Sequence, residues 1–170
     1  MERYDVLIVG GGPMGTLAAM TLLEEGVDAR VGEINPQRQA KLREWGIPCD
    51  TTDHWYAEEK FDKIIVAVNI PALIVEAVNQ VKSGGKVHVF AGLPSDTVLP
   101  IPAKALHYRF VQIMGCSGFA IPAFRRAFEM IKKNPARYEP LITHRFPLEK
   151  GQEAMETLAK GEAFKIMIEP

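Results

Sequence analysis

The sequence predicts an α/β fold: a doubly wound, parallel, six-stranded sheet followed by a short C-terminal β-α-β tail. Three observations carry that expectation. Short aliphatic runs such as "VLIV", "KIIVAV" and "KVHVF" read as strands buried on both faces of a parallel sheet. Stretches with helical spacing separate them, and prolines and glycines punctuate the alternation where helices begin and end. Parallel neighbours need a crossover, and the right-handed crossover lays each intervening helix on a face of the sheet.

Taken in order, Asp5 to Val9 is the first strand. Pro13 stands where the first turn of a helix tolerates proline, and Leu17, Met20, Leu22 and Leu23 lead to Gly26, a residue suited to closing a helix. Ala29 to Glu33 is a second strand, Pro36 to Trp45 a helix stopped by Gly46, and Pro48 to Thr51 a short extended piece. Asp53 to Phe61 has no clear period and is expected to be a loop or a single helical turn. Lys63 to Val68 is the next strand, Pro71 to Val81 a helix ended by Ser83-Gly84-Gly85, Lys86 to Phe90 a strand, and Phe110 to Gly115 the sixth. Leu93 to Lys104 contains Pro94, Pro100 and Pro102, so a long connecting loop is expected there. Pro122 to Lys133 reads as an amphipathic helix, and the composition changes after Asn134-Pro135. The expected domains are residues 1–137 and a tail, 138–170, built from Leu141 to Phe146, a helix from Leu148 to Lys160 before Gly161, and Phe164 to Ile168.

Composition narrows the function. With 47% hydrophobic and 24% charged residues in 170, the chain can bury a core and disorder is not expected. Twenty basic side chains against 21 acidic ones, with no basic block, make nucleic acid an unexpected partner. Glycines interrupt the first apolar segment within a few residues, so neither a signal peptide nor a membrane span is expected, and a cytoplasmic setting is the default. Cys49 and Cys116 lie too far apart for a metal knuckle and read as reduced structural thiols. His54, His88, His107 and His144 form neither an H-E-x-x-H motif nor a Cys/His cluster, so no metal site is expected in this chain.

The chemistry is written in the glycines. Gly10-x-Gly12-x-x-Gly15 directly follows a buried strand and opens a helix, the context in which this spacing marks a dinucleotide-binding Rossmann turn. Gly10 permits the tight turn, Gly12 lets backbone approach a pyrophosphate, and Gly15 allows close packing of helix on strand. The anion would lie at the helix N-terminus, where free N–H groups converge. Glu33, at the end of the second strand, is placed to accept from the adenosine ribose hydroxyls, which favours NAD(H). A 2′-phosphate would be repelled there, with Arg38 as the nearby compensation; Arg38 reads equally well as an ordinary helix-surface charge. The opening "YDVLIVGGGP" with Gly15 also resembles flavoproteins that hold FAD with the same turn, and FAD stays as an alternative.

Later segments decide between these. "EINPQRQAKLREWGI", "GGKVHVFAGLP", "LHYRFVQIMGC" and "EPLITHRFPLEKGQEAMETLAKGEAFKIMI", in that order after "GGGPMG", resemble the cofactor-binding half of zinc-dependent medium-chain alcohol dehydrogenases, notably the sorbitol and threonine dehydrogenase branch. The resemblance covers nearly the whole chain. It implies that Pro13 and Met14 meet the pyrophosphate, Glu33 the ribose, and Ile34 and Val68 the adenine. It also implies that the nicotinamide meets backbone at Ala91, Gly92 and Leu93 and around Cys116 and Ser117. Asn69 stands where the family commonly has glycine, and an acidic residue often found near Ala67 is absent.

The same resemblance implies that zinc polarises the alcohol, with ligands from a separate catalytic domain that the tail would help complete; this chain has no catalytic residues of its own by that analogy. A homodimer through the sixth strand is expected, since an uncharged apolar edge invites pairing with a copy of itself. Two other readings stay open: a stand-alone module that binds NAD(H) without turnover, and a small enzyme using His107 and Tyr108 as acid and base.

Overall fold

The computed structural model describes residues 5–51, 61–161 and 163–170. His54, and all of the Asp53 to Phe61 expectation except Phe61, lie outside the described residues. Packing divides the chain into two compact units, 1–117 and 118–170.

In the first unit, strands β1 (Val6–Val9), β2 (Ala29–Gly32), β3 (Cys49–Asp50), β4 (Lys63–Val66), β5 (Lys86–Val89) and β6 (Gln112–Gly115) form one sheet in the order β3-β2-β1-β4-β5-β6. Every pair is parallel, and β1 holds the centre, with Val6 opposite both Ala29 and Lys63. All four β1 residues are buried, as the unbroken aliphatic run requires. Alternation sends Leu7 and Val9 into a core with Ile64, Val66 and Val87. Ile74, Ala77 and Val78 of helix α3 (Pro71–Gln80) cover that core.

Helix starts follow one device. α1 (Pro13–Glu24), α2 (Pro36–Glu44) and α3 each begin on a proline, whose missing N–H costs nothing in the first turn. α2 is also capped by Asn35, whose Oδ1 accepts from the N–H groups of Gln37 (2.9 Å) and Arg38 (3.3 Å). Gly26 and Gly46 close α1 and α2 at φ 76° and 72°.

Two expectations fail locally. The proline-rich connection is loop from Leu93 to Pro102, but its last two expected residues, Ala103 and Lys104, begin a short helix, α4 (Ala103–His107), seeded by the fixed φ of Pro102 and anchored by buried Ala105. The sixth strand starts at Gln112 rather than Phe110, because Phe110 turns the chain in the left-handed region (φ 56°) before Val111 N–H donates to the Ala105 carbonyl at 3.0 Å.

The second unit contains α5 (Ile121–Lys133), the single turn α6 (Pro135–Tyr138), β7 (Ile142–Pro147), α7 (Gly151–Ala159) and β8 (Lys165–Glu169). β7 and β8 pair in parallel across α7, giving the expected β-α-β arrangement. The expected domain boundary after Arg137 lies beyond the packing division at Ser117, which groups α5 with the tail; α5 carries no buried side chain.

Candidate functional site

The glycine turn leaves β1 at the carboxyl edge of the sheet. Gly10 takes φ 105°, open to glycine, and a Cβ there would run into Val68 Cγ1. A Cβ on Gly15 would strike the Gly10 carbonyl oxygen, so α1 can approach β1 this closely only without one. Gly12 differs: a Cβ there would meet nothing within 4 Å. Its carbonyl accepts from Thr16 N–H at 2.9 Å, the first bond of α1, which leaves the N–H groups of Met14 and Gly15 without a helical acceptor. Open space and unsatisfied donors therefore meet at one point, as an anion site requires.

From that point a cleft of about 700 Å³ runs along the carboxyl ends of the strands. Gly10, Gly12, Pro13, Glu33, Ile34, Arg38, Val68, Ala91 and Gly92 all line it, drawn together from four separate βα connections. Ala67, Asn69, Ile70 and Leu73 line it too. Ile70 and Leu73 went unassigned to the site by sequence, although their position just after a strand end was a usable signal. Met14, Gly15, Leu93, Cys116 and Ser117 do not line it. Gly15 is buried under the turn, Leu93 packs beside the core, and Cys116 and Ser117 are exposed after β6.

Glu33 is 6% exposed, yet its carboxylate is well supplied. Oε2 accepts from Gly11 N–H at 2.9 Å and Oε1 from Asn35 N–H at 2.8 Å. Arg38 Nη1 stands 3.9 Å from Oε2, and Gln39 Nε2 holds the Glu33 carbonyl at 2.5 Å. An ionised carboxylate has about four acceptor sites, so each oxygen retains capacity for a ribose hydroxyl. Beside it Ile34 is 81% exposed and Ile70 48%, apolar surface suited to an adenine face. The residues present thus fit a dinucleotide: a glycine cradle left open, free helical N–H groups, a ribose-accepting carboxylate and an apolar shelf.

The other candidates lie apart from this cleft. His107 and Tyr108 meet edge to face at 4.7 Å on and after α4, with Tyr108 73% exposed. His88 Nε2 is buried without a partner, its ring edge-on to Phe90 at 5.8 Å. Cys49 is buried, its Sγ donating to the Gln39 carbonyl at 3.2 Å, and burial pushes its thiol up. Among the described residues no three His, Cys, Asp or Glu side chains gather as a metal site would need, and no helix is long and apolar enough to cross a membrane.

Comparison with known proteins fits this geometry. A family model described as "FAD binding domain" matches residues 3–54. Over 96% of its length the chain is 29% identical to a sorbitol dehydrogenase of Rattus norvegicus, covering 48% of that protein. An L-threonine 3-dehydrogenase of Saccharopolyspora erythraea is 24% identical over 97% of the chain and is covered over 51%. The chain spans about half the length of the curated relatives it matches. Among solved structures, a "short chain alcohol dehydrogenase" from E. coli complexed with cofactor NADH superposes with a TM-score of 0.84 at 20% identity, over 99% of this chain and 52% of that one. A zinc-binding dehydrogenase of Sinorhizobium meliloti bound to NADP gives 0.86 at 17%, over 99% and 53%. At those identities the likeness speaks for the fold, which is the Rossmann α/β sheet.

Proposed function

From a chain that fits the C-terminal portion of the medium-chain alcohol dehydrogenase family, we propose the NAD(H)-binding domain of a zinc-dependent alcohol or polyol dehydrogenase. It positions nicotinamide for hydride transfer to or from a secondary alcohol or ketone. The observation that carries the reading is the meeting of Gly12, open to the cleft, with the Glu33 carboxylate at its rim. When bound, the cofactor supplies the hydride chemistry. Gly12, Pro13 and Met14 seat its pyrophosphate on the N-terminus of α1. Glu33 accepts from the adenosine ribose, and Ile34 and Val68 flank the adenine. Gly10 and Gly15 shape the turn, while Ala91, Gly92 and Leu93, with Cys116 and Ser117, frame the nicotinamide end.

By this reading residues 1–137 are the cofactor domain and 138–170 complete a catalytic domain, which brings the zinc ligands. The 170 residues alone then bind cofactor without turning it over, in a cytoplasmic setting and as a homodimer through β6. Glu33 selects NAD(H), because a 2′-phosphate would sit against a buried carboxylate that Arg38, 3.9 Å away, already partners. A second reading, FAD, is favoured by the family-model match to residues 3–54, the stretch that both nucleotides' turns share.

Titration with NADH, NADPH and FAD, followed by nicotinamide fluorescence, flavin absorbance and thermal melting, tests both. NADH should bind at least about tenfold tighter than NADPH, a difference of about 1.4 kcal/mol. Binding of FAD alone would replace this reading with the second.

A further inference from the structure

The middle residue of the glycine run, Gly11, falls at a position the dinucleotide spacing leaves free. In this structure it is not free. Its N–H donates to Glu33 Oε2 at 2.9 Å, a buried bond between residues 22 apart. A Cβ on Gly11 would lie 3.0 Å from that same oxygen, 3.1 Å from Glu33 Cβ and 2.8 Å from Leu42 Cδ1. The other carboxylate oxygen holds Asn35 N–H, and Asn35 in turn caps α2. One side chain therefore ties the turn after β1 to the start of α2.

We propose that Glu33 is a positioning residue for the glycine turn as well as a ribose acceptor, and that Gly11 is the residue through which it acts. A charge-assisted bond to a backbone N–H in a buried setting is short and strong, and leaving that donor unpaired costs its desolvation. With the carboxylate in place, the peptide between Gly10 and Gly11 is held, and the following N–H groups of α1 keep their aim at the cleft. Glu33 thus contributes to holding the phosphates, which it does not touch. The effect on binding rests on the cofactor reading above; the bond itself does not.

Two measurements separate these. In the cofactor-free protein, exchange of the Gly11 amide with solvent reads the bond directly. It should be protected in the wild type and speed up at least about tenfold in Glu33→Gln, whose amide can accept from only one of the two N–H groups. Next, dissociation constants are compared for NADH and for an analogue lacking both hydroxyls on the adenosine ribose. A carboxylate that acts only on the ribose leaves the analogue's affinity equal in the wild type and Glu33→Gln. A positioning role makes Glu33→Gln bind the analogue about five- to tenfold more weakly. Gly11→Ala, which keeps the carboxylate but crowds it off the turn, should do the same, with thermal melting checking that both variants fold. An unprotected Gly11 amide in the wild type overturns the proposal without any variant, as does an analogue affinity unchanged in both. Glu33-dependent protection in a chain that binds neither dinucleotide upholds the tie and overturns the cofactor reading instead.

Discussion

Two glycine turns stand at opposite edges of one sheet and use their backbone in opposite ways. The turn from Gly10 to Gly15 leaves β1 at the carboxyl edge, where Gly12 faces open space and the first N–H groups of α1 await an acceptor. The Ser83-Gly84-Gly85 turn enters β5 at the amino edge, and there the protein takes up the backbone itself. Gly84 N–H donates to the Arg109 carbonyl at 2.7 Å and Gly85 N–H to that of Lys82 at 2.8 Å. A Cβ on Gly85 would come within 2.6 Å of Val81 Cγ2. The Arg109 guanidinium then closes the end of α3, donating to the carbonyls of Val78 (3.3 Å), Asn79 (2.8 Å) and Val81. In a parallel sheet, strand direction decides which glycines face a ligand and which face their own fold.

The comparison breaks most sharply at Gly15, which belongs to the open turn but is itself enclosed. Gly15→Ala should lower stability by about 3 kcal/mol, the upper end for forcing atoms into filled space, and abolish NADH binding. An unchanged denaturation midpoint would mean that α1 can move off β1 freely. At the closed turn, Arg109→Ala strips three carbonyls of a charged donor and should cost about 2 kcal/mol in chemical denaturation. NADH affinity should not change; a matching loss of affinity would show that the two edges are coupled. Gly12→Ala is the converse, with stability held within about 0.5 kcal/mol and NADH affinity down about tenfold. A variant that binds as tightly as wild type would remove Gly12 from the phosphate site.

The smallest effect concerns the two thiols. Cys116, exposed beyond the carboxyl end of β6, should be alkylated first, and buried Cys49 should lag. Because burial raises the Cys49 thiol, the lag should narrow as pH climbs past the ordinary thiol value of about 8.5. Over that range the fold should also lose a little stability, since the unfolded chain releases the proton first. Equal rates for both thiols at neutral pH would contradict the burial of Cys49.

What sequence could and could not show follows from how local each cause is. β1 is legible because burial on both faces demands an unbroken run such as "VLIV"; β4, expected to be buried in the same way, buries Ile64 and Val66 but leaves Lys63 and Ile65 half-buried. The helix starts are legible because Pro13, Pro36 and Pro71 stand where proline alone loses nothing. Helix α4 is not, since five residues are too few to show a period and three prolines point to loop. The left-handed turn at Phe110 is hidden for another reason: nothing in its side chain favours that conformation. The fingerprint named Gly12 and Glu33, which both line the cleft, but the Gly11–Glu33 bond depends on where β2 stops, and β2 ends at Gly32, just short of the expected Glu33. The role of Arg109 is not legible in the sequence, because its partners at the end of α3 lie some 30 residues upstream.

The position of β1 has a consequence for biosynthesis. Its two neighbours in the sheet are β2 and β4, so Val6 to Val9 cannot be flanked on both sides until Lys63 to Val66 have left the ribosome. For the interval between, the most apolar strand of the domain is emerged and half-paired, an exposed edge of the kind chaperones hold. The strand that leads into the glycine turn is therefore translated before one of its two neighbours and enclosed late.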